Sequence, residues 1–397
     1  MSDYKKVVLR PKKDEFLKRF HPWVFSGAVA SIAGGVEEGD NVRVISHDGD
    51  FLGVGHYQIG SIAVRILSFD DVAIDKDYYV GRLKAAYDMR RQLNLIRDDN
   101  NTFRLVHGEG DGLPGLIIDV YGNTLVMQSH SVGIHKDRFL IVDALREVMP
   151  EDSFENLYYK SESTLPFKAG LEPENDYIIG GNDVDEFAVE NGFKFKIDWL
   201  KGQKTGFFID QRENRKLLQQ YAKGRRLLNM FSYTGGFSVY GLAGGAEEVV
   251  SVDSSAKAVS IANLNVQENF GSDDRHISSS EDAFKYLANM PYGKYDLIVL
   301  DPPAFAKHRG ALKNALQGYK RLNQAALEKI ASGGVLFTFS CSQVVSPEQF
   351  RLAVMSACAL TKRNVRILHQ LTQPADHPVN IYHPEGEYLK GLVMYVE

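Results

Sequence analysis

The 397-residue chain predicts an α/β protein. Its C-terminal part reads as a doubly wound parallel sheet, preceded by a small β-rich module and a small central α+β region. Three observations carry this expectation. From about residue 188 short apolar runs alternate with amphipathic stretches, the pattern of parallel strands joined by helices. Two of those runs end in chemically loaded tripeptides, Asp301-Pro302-Pro303 and Ser340-Cys341-Ser342. Upstream, strand-like runs are separated by glycine turns.

Taken in order, residues 1–72 hold Val42–Ile45, Phe51–Tyr57 and Ile62–Leu67 as strands, with Gly34-Gly35, Gly39-Asp40 and Asp48-Gly49 as turns. In residues 73–187 Leu83, Ala86, Tyr87, Arg90 and Arg91 recur at helical spacing within Asp77–Leu95. Gly110-Asp-Gly-Leu-Pro-Gly115, a strand Leu116–Val120, the turn Tyr121-Gly-Asn123 and a helix over 139–149 follow, and Glu172–Asp185 reads as an acidic loop. Residues 188–397 contain four buried strands: Leu227–Phe231, Glu248–Val252, Tyr295–Leu300 and Val335–Phe339. A further strand is expected before Asp282. The helix Gly318–Ile330 lies between the last two of the four, so consecutive parallel strands should place Asp301 and Cys341 on one edge of the sheet, where open α/β folds bind ligands.

Hydrophobic content of 44% fits a soluble globular chain, and no apolar stretch is long enough to cross a bilayer. The N-terminus lacks a charged-then-apolar leader, and two cysteines point to a reducing compartment, so the expected location is cytoplasmic. The net charge of −5 does not advertise nucleic-acid binding. Basic residues nevertheless cluster at Lys5, Lys6, Arg10, Lys12, Lys13, Lys18 and Arg19, at Lys194, Lys196, Lys201 and Lys204, and at Lys307, His308, Arg309 and Lys313.

After the first strand of the C-terminal part comes Phe231-Ser-Tyr-Thr-Gly-Gly-Phe237, whose Thr234, Gly235 and Gly236 let a ligand approach the backbone at a helix N-terminus. Asp253, about twenty residues on, is placed to accept ribose hydroxyls. Asp282 adds a carboxylate at the next strand end, where it reads equally as a helix cap. The turn lacks G-x-G-x-x-G, and acids at successive strand ends suit S-adenosylmethionine better than a dinucleotide. Asp210, Gln211 and Arg212 are candidates for holding a methionine moiety, with Asp210 read alternatively as the cap of a helix Glu213–Tyr221. The candidate cofactor residues are Gln211, Phe231, Tyr233, Thr234, Gly235, Gly236, Asp253, Ser254, Asp282, Asp301 and Pro302. No metal site is expected.

Cys341 and Asp301 together suit base methylation at carbon. Cytosine C5 is a poor nucleophile until a thiolate adds at C6, and an acid must hydrogen-bond the base edge. Cys341 is the candidate nucleophile and Asp301 the base-edge partner. Cys358 falls in a helical apolar pattern and reads as core. Enzymes that methylate exocyclic amines carry an aromatic ring directly after the two prolines, whereas here Ala304 precedes Phe305.

With these residues laid out, the chain resembles the RlmI-type large-subunit rRNA cytosine-5 methyltransferases over nearly its whole length. His21-Pro-Trp-Val-Phe-Ser-Gly27, Gly110–Gly115, Lys204-Thr-Gly206 with Asp210-Gln-Arg212, Phe231–Gly236, Asp301–Pro303, Ser340–Ser342, Asp376-His-Pro378 and Tyr388-Leu-Lys-Gly391 carry the resemblance. It implies an N-terminal PUA-like RNA-binding β-barrel, a central α+β domain and a class I methyltransferase domain, often in a homodimer. It implies S-adenosylmethionine as cofactor, RNA as partner, Gln211, Asp253, Asp282 and Asp301 in the cofactor pocket, and Cys341 as nucleophile. One departure is Ala304, where these enzymes commonly have lysine. Relatives that make N7-methylguanine without a thiol, or a non-catalytic RNA-binding accessory protein, are the alternatives.

Overall fold

The computed structural model describes residues 3–151, 153–166, 171 and 175–397. The chain divides into two compact units. One takes the chain up to Asn191 together with Ile197–Phe207 and Ala375–Gly386; the other takes Gly192–Lys196, Phe208–Pro374 and Glu387–Glu397. Of the expected acidic loop, residues 172–174 lie outside the described residues, and Asp176–Ile179 within it is a strand.

The first unit holds two sheets. Strands β1 (Lys5–Leu9), β2 (Trp23–Phe25), β3 (Val29–Ile32), β4 (Asn41–Ile45), β5 (Phe51–Tyr57) and β6 (Ile62–Ser68) form one, in the order β2-β6-β5-β4-β1-β3. Val7, Leu9, Val24, Val42, Val44, Val64 and Ile66 fill its interior. The second sheet runs β11 (Asp176–Ile179), β10 (Asn156–Tyr159), β9 (Thr124–Ser129), β8 (Leu116–Tyr121) and β7 (Thr102–His107). It packs against the helices Lys76–Gln92 and Arg138–Val148 through Tyr79, Leu83, Ile118, Met127, Ile141 and Leu145.

Two distant sequence motifs meet in this unit. The Arg90 guanidinium, fully buried, makes a bidentate pair with Asp111 and donates to the Asp376 carbonyl at 2.8 Å. The Arg104 N–H donates to Asp376 Oδ2 at 3.0 Å. At Gly110 an added Cβ would stand 1.9 Å from the Pro378 carbonyl oxygen, so this backbone approach admits no side chain. Gly110-Asp-Gly and Asp376-His-Pro are therefore two halves of one joint.

The second unit is built on a seven-stranded sheet. Beyond the short strand β12 (Ala188–Glu190), which belongs to the first unit, the second unit holds the short strand β13 (Phe193–Phe195) and then β14 (Arg226–Met230), β15 (Glu248–Asp253), β16 (His276–Ser280), β17 (Leu297–Leu300), β18 (Gly334–Ser340), β19 (Val365–Leu371) and β20 (Lys390–Val396). Their order is β16-β15-β14-β17-β18-β20-β19. Strands β14 to β18 are mutually parallel, as expected. The last two strands add an antiparallel edge that the alternation of strands and helices did not announce. Strand β19 is mostly exposed, and its polar-apolar mixture carries little strand signal.

One face of the sheet presents Leu228, Met230, Val250, Val252, Ile298, Leu300 and Leu336 to a core completed by Leu287, Tyr319, Leu322, Phe350 and Val354. These last residues come from the helices Ala283–Asn289, Leu312–Lys329 and Pro347–Thr361. The alternate residues Asn229 and Ser251 point the other way and bond Ser238 of the helix Gly236–Ala243 at 2.9 and 2.7 Å. Ser346 starts the helix Pro347–Thr361 with a capping box to Gln349 and Pro347 in its first turn. Among the described residues no helix is long and apolar enough to cross a membrane.

The joint at Arg90 makes a stability prediction. Arg90→Leu strands the nearly buried Asp111 carboxylate and should lower unfolding free energy by about 3–5 kcal/mol in urea titrations. Arg90→Leu with Asp111→Leu should recover a large part of that loss.

Candidate active site

Strand β14 lies between β15 and β17, so the direction of sheet growth reverses there, and the crevice opens at the carboxyl ends of β14 and β17. The turn leaving β14 is conformationally demanding. Phe231 and Tyr233 have φ of 59° and 45°, and Gly235 has φ of 79°. A Cβ on Gly235 would also come 2.9 Å from that of Ala262, so glycine is required twice over. The buried Asn265 amide donates to the Thr234 carbonyl at 2.8 Å and holds the turn in place. Asp253, ending β15, accepts from the Tyr233 and Ser255 N–H groups at 2.9 and 2.8 Å, which fixes its carboxylate over the turn.

Phe231, Tyr233, Thr234, Gly235, Gly236, Asp253, Ser254, Asp282, Asp301 and Pro302 thus all lie at or just beyond the carboxyl ends of β14 to β17. Asp282 is the N-cap of the helix Ala283–Asn289, accepting from the Lys285 N–H at 2.9 Å. The alternative role for Asp210 is not what the fold uses: Gln211 occupies the cap position of the helix Arg212–Tyr221. Asp210 Oδ2 instead accepts from the Tyr388 hydroxyl at 2.7 Å, and its Oδ1 is buried without a hydrogen-bond partner among the described residues. Ser232 Oγ is buried and unpartnered as well.

Asp301 sits among these groups. Burial pushes its carboxyl up to about 7; the Asp210 charge adds to this, while the Gln211 hydrogen bond and Arg215 oppose it. Gln211 donates to Asp301 Oδ1 at 3.0 Å and is itself oriented by the Asn214 amide at 2.6 Å.

Strand β18 pairs in parallel with β17, and Cys341 follows its last residue. The Cys341 Sγ lies 3.9 Å from the Pro302 carbonyl oxygen, so the thiol and the Asp-Pro-Pro turn share one edge. Cys341 is half-buried, whereas Ser340 and Ser342 are fully buried. Ser342 Oγ bonds the Tyr319 hydroxyl at 2.8 Å and accepts from the Ala306 N–H at 3.3 Å. The partly buried Phe305 packs onto Tyr319, with ring centroids 4.7 Å apart. Cys358 packs against the core, where burial pushes its thiol pKa up.

Sequence reasoning assigned no role to Tyr388, Lys390, Asn214, Asn265 or Tyr319. Tyr388 and Lys390 stand in the Tyr388-Leu-Lys-Gly391 motif, and Lys390 is also a cation inside the otherwise apolar run Leu389–Val396. In the other unit His21, His383 and Glu385 bring ligand-type atoms within 4.8 Å of one another. The Trp23 N–H donates to His21 Nδ1 at 3.2 Å, which puts the ring proton on Nε2, 3.4 Å from Glu385 Oε2.

Residues 173–383 match the model of the S-adenosylmethionine-dependent methyltransferase family, and residues 7–69 match that of the PUA-like domain. The chain is 39% identical over 394 residues to the ribosomal RNA large subunit methyltransferase I of Alteromonas mediterranea, covering 98% of each chain. The chain belongs to this methyltransferase family. A second member, from Aeromonas salmonicida, is 40% identical over 397 residues, again covering 98% of each chain. A solved SAM-dependent methyltransferase from Streptococcus mutans superposes with a TM-score of 0.84 at 24% identity, covering 98% of this chain and 100% of its own. Another structure with the same score, identity and coverage was solved in complex with SAH.

The cofactor of the family is S-adenosylmethionine, and the crevice suits it. A buried carboxylate oxygen without a donor at Asp210, beside a second carboxyl at Asp301, fits a ligand carrying an ammonium group and a sulfonium. Bound there, S-adenosylmethionine would supply an electrophilic methyl group carried on a positively charged sulfur.

The raised carboxyl at Asp301 has a pH signature. Between its ordinary value of 3.8 and about 7 the folded state holds a proton that the unfolded state has lost, so this residue erodes stability as pH rises through that window. Asp301→Asn should therefore gain stability over wild type progressively from pH 4 to 7 and level off above, as measured by thermal melts. A pH-independent difference would contradict the burial of the charge.

Proposed function

We propose that the protein transfers a methyl group from S-adenosylmethionine to C5 of a cytosine in large-subunit ribosomal RNA, with Cys341 as nucleophile. The RNA class follows from the activity named for its relatives. The observation that carries the choice of atom is the Cys341 thiol, 3.9 Å from the Pro302 carbonyl on the shared edge. The thiolate adds to C6, and the electron pair of the C5–C6 bond moves to make C5 nucleophilic. Once C5 is methylated, loss of its proton drives elimination, which breaks the C6–sulfur bond and restores the aromatic ring.

Asp301, protonated up to about pH 7, donates to the base edge and stabilises the electron-rich ring during addition. The residue directly after the two prolines is Ala304 and not the aromatic ring of exocyclic-amine methyltransferases, which favours carbon as the target. A base inside a duplex is out of reach, so the target is flipped out or already single-stranded. Gln211, Phe231, Tyr233, Thr234, Gly235, Gly236, Asp253, Ser254, Asp282, Asp301 and Pro302 form the cofactor pocket in this proposal.

Lys307, Arg309 and Lys313 follow the Asp-Pro-Pro turn, are exposed, and make no ion pair among the described residues. They offer phosphate contacts next to the reacting groups. A PUA-like part over residues 1–72, a central part over 73–187 and a catalytic part over 188–397, acting in the cytoplasm as a homodimer, complete the proposal.

Mass spectrometry of rRNA from cells lacking the protein tests it. One 5-methylcytosine should disappear and return with the wild-type gene but not with Cys341→Ala. Restoration by Cys341→Ala would remove the thiol from the mechanism, and loss of a methylguanine instead would select the N7 chemistry.

A further inference from the structure

Lys390 is 7% exposed and opens β20, paired in register with Ser340, the residue before the thiol. Its Nζ donates to the Ser342 carbonyl at 2.7 Å and to the Val345 carbonyl at 2.6 Å. The ammonium therefore grips the turn that leaves Cys341 from both ends. A buried cation is normally matched by a carboxylate. Among the described residues Lys390 has none within ion-pair distance; its partners are the two carbonyls, and the one ionisable group it feels is Cys341.

We propose that Lys390 is the positioning residue for Cys341: its ammonium stabilises the thiolate, and its two hydrogen bonds fix the turn that presents it. Its catalytic meaning rests on Cys341 being the nucleophile. Tyr319, from the helix Leu312–Lys329, is a second titratable group that interacts with the thiol, and its hydroxyl is kept neutral by burial and tied to Ser342. The Lys390 charge acts on Cys341, which is the charged group that raises the ammonium. The influence is mutual: burial pulls the ammonium down to about 8, and a charge on Cys341 pushes it back up. Each ion makes the other less costly, and the proton lost from the thiol leaves to solvent.

The same arrangement explains why the lysine stands in an apolar strand. Leucine or methionine would fill the space but take the ammonium donor from the Ser342 and Val345 carbonyls, leaving Ser342 with only the Val345 N–H among the described residues, and remove the counter-charge from the thiol. Glutamine separates the two roles, since its amide can still donate to carbonyls but carries no charge.

The test follows the rate of Cys341 alkylation by iodoacetamide against pH in the Cys358→Ala protein, where Cys341 is the remaining thiol. With Lys390 present the midpoint should fall below about 8.5, the ordinary thiol value. Lys390→Gln should raise it by about one unit or more, a tenfold loss of thiolate at neutral pH, and Lys390→Arg should restore it. A midpoint at or above about 8.5 with Lys390 intact overturns the proposal, and so does an unchanged midpoint in Lys390→Gln. The first of these needs no variant at 390, so a misfolded substitution does not block the test. Alkylation requires neither RNA nor methyl transfer. A shifted midpoint alongside a methylating Cys341→Ala would retain the ion pair and sink only the nucleophile.

Discussion

Everything at the candidate site depends on the parallel pairing of β17 with β18, in which Leu300 stands beside Thr338. Parallel neighbours end on the same edge, so the residues that follow them must meet. The pairing brings the Cys341 sulfur within 3.9 Å of the Pro302 carbonyl and leaves Asp301 facing the turn that leaves β14. Were β18 antiparallel to β17, the thiol would lie at the opposite end of a strand roughly 20 Å long. The core beneath this edge, from Leu300 and Leu336 to Tyr319 and Phe350, has no catalytic duty but holds the register.

The edge concentrates groups that a protein built for stability alone would avoid. Among the described residues, Asp301 is a carboxyl forced toward neutrality by burial, Asp210 keeps a buried oxygen without a donor, and Lys390 is a buried ammonium answered by carbonyls and a thiol and by no carboxylate. Each costs folding free energy, and their concentration at this edge supports its proposal as the active site. The supporting residues are rigid and local. Asn214 orients Gln211, Tyr388 holds Asp210, and Asn265 holds the glycine turn.

Much of this is legible in the residues themselves, because apolar runs and glycine turns obey local rules. The parallel strands, the demanding turn at Phe231–Gly236 and the shared edge of Asp301 and Cys341 all follow from spacing. The rest escapes for identifiable reasons. Strand β19 is an exposed edge with little apolar content, so tertiary pairing and not propensity makes it a strand. The segment Ala375–Gly386 joins the first unit through the Arg90–Asp376 contact, an interaction across 286 positions that no local pattern encodes. Asp282 reads equally as cap and ligand because one carboxylate can serve a backbone N–H and still stand at a strand end. Lys390 was visible as an oddity in an apolar run, but its meaning appears only when β20 is laid beside β18.

The central claim is that Cys341 forms a covalent bond to the target base. It is tested most directly with a fragment of large-subunit rRNA in which cytidine is replaced by 5-fluorocytidine. After methyl transfer such a base has no proton at C5 to lose, so the thiolate cannot be expelled and a denaturation-resistant protein–RNA adduct must accumulate. The adduct should require S-adenosylmethionine, vanish in Cys341→Ala and map by mass spectrometry to Cys341. Methylation of the unmodified fragment with no adduct on its fluorinated counterpart, or an adduct that survives Cys341→Ala, would contradict the account.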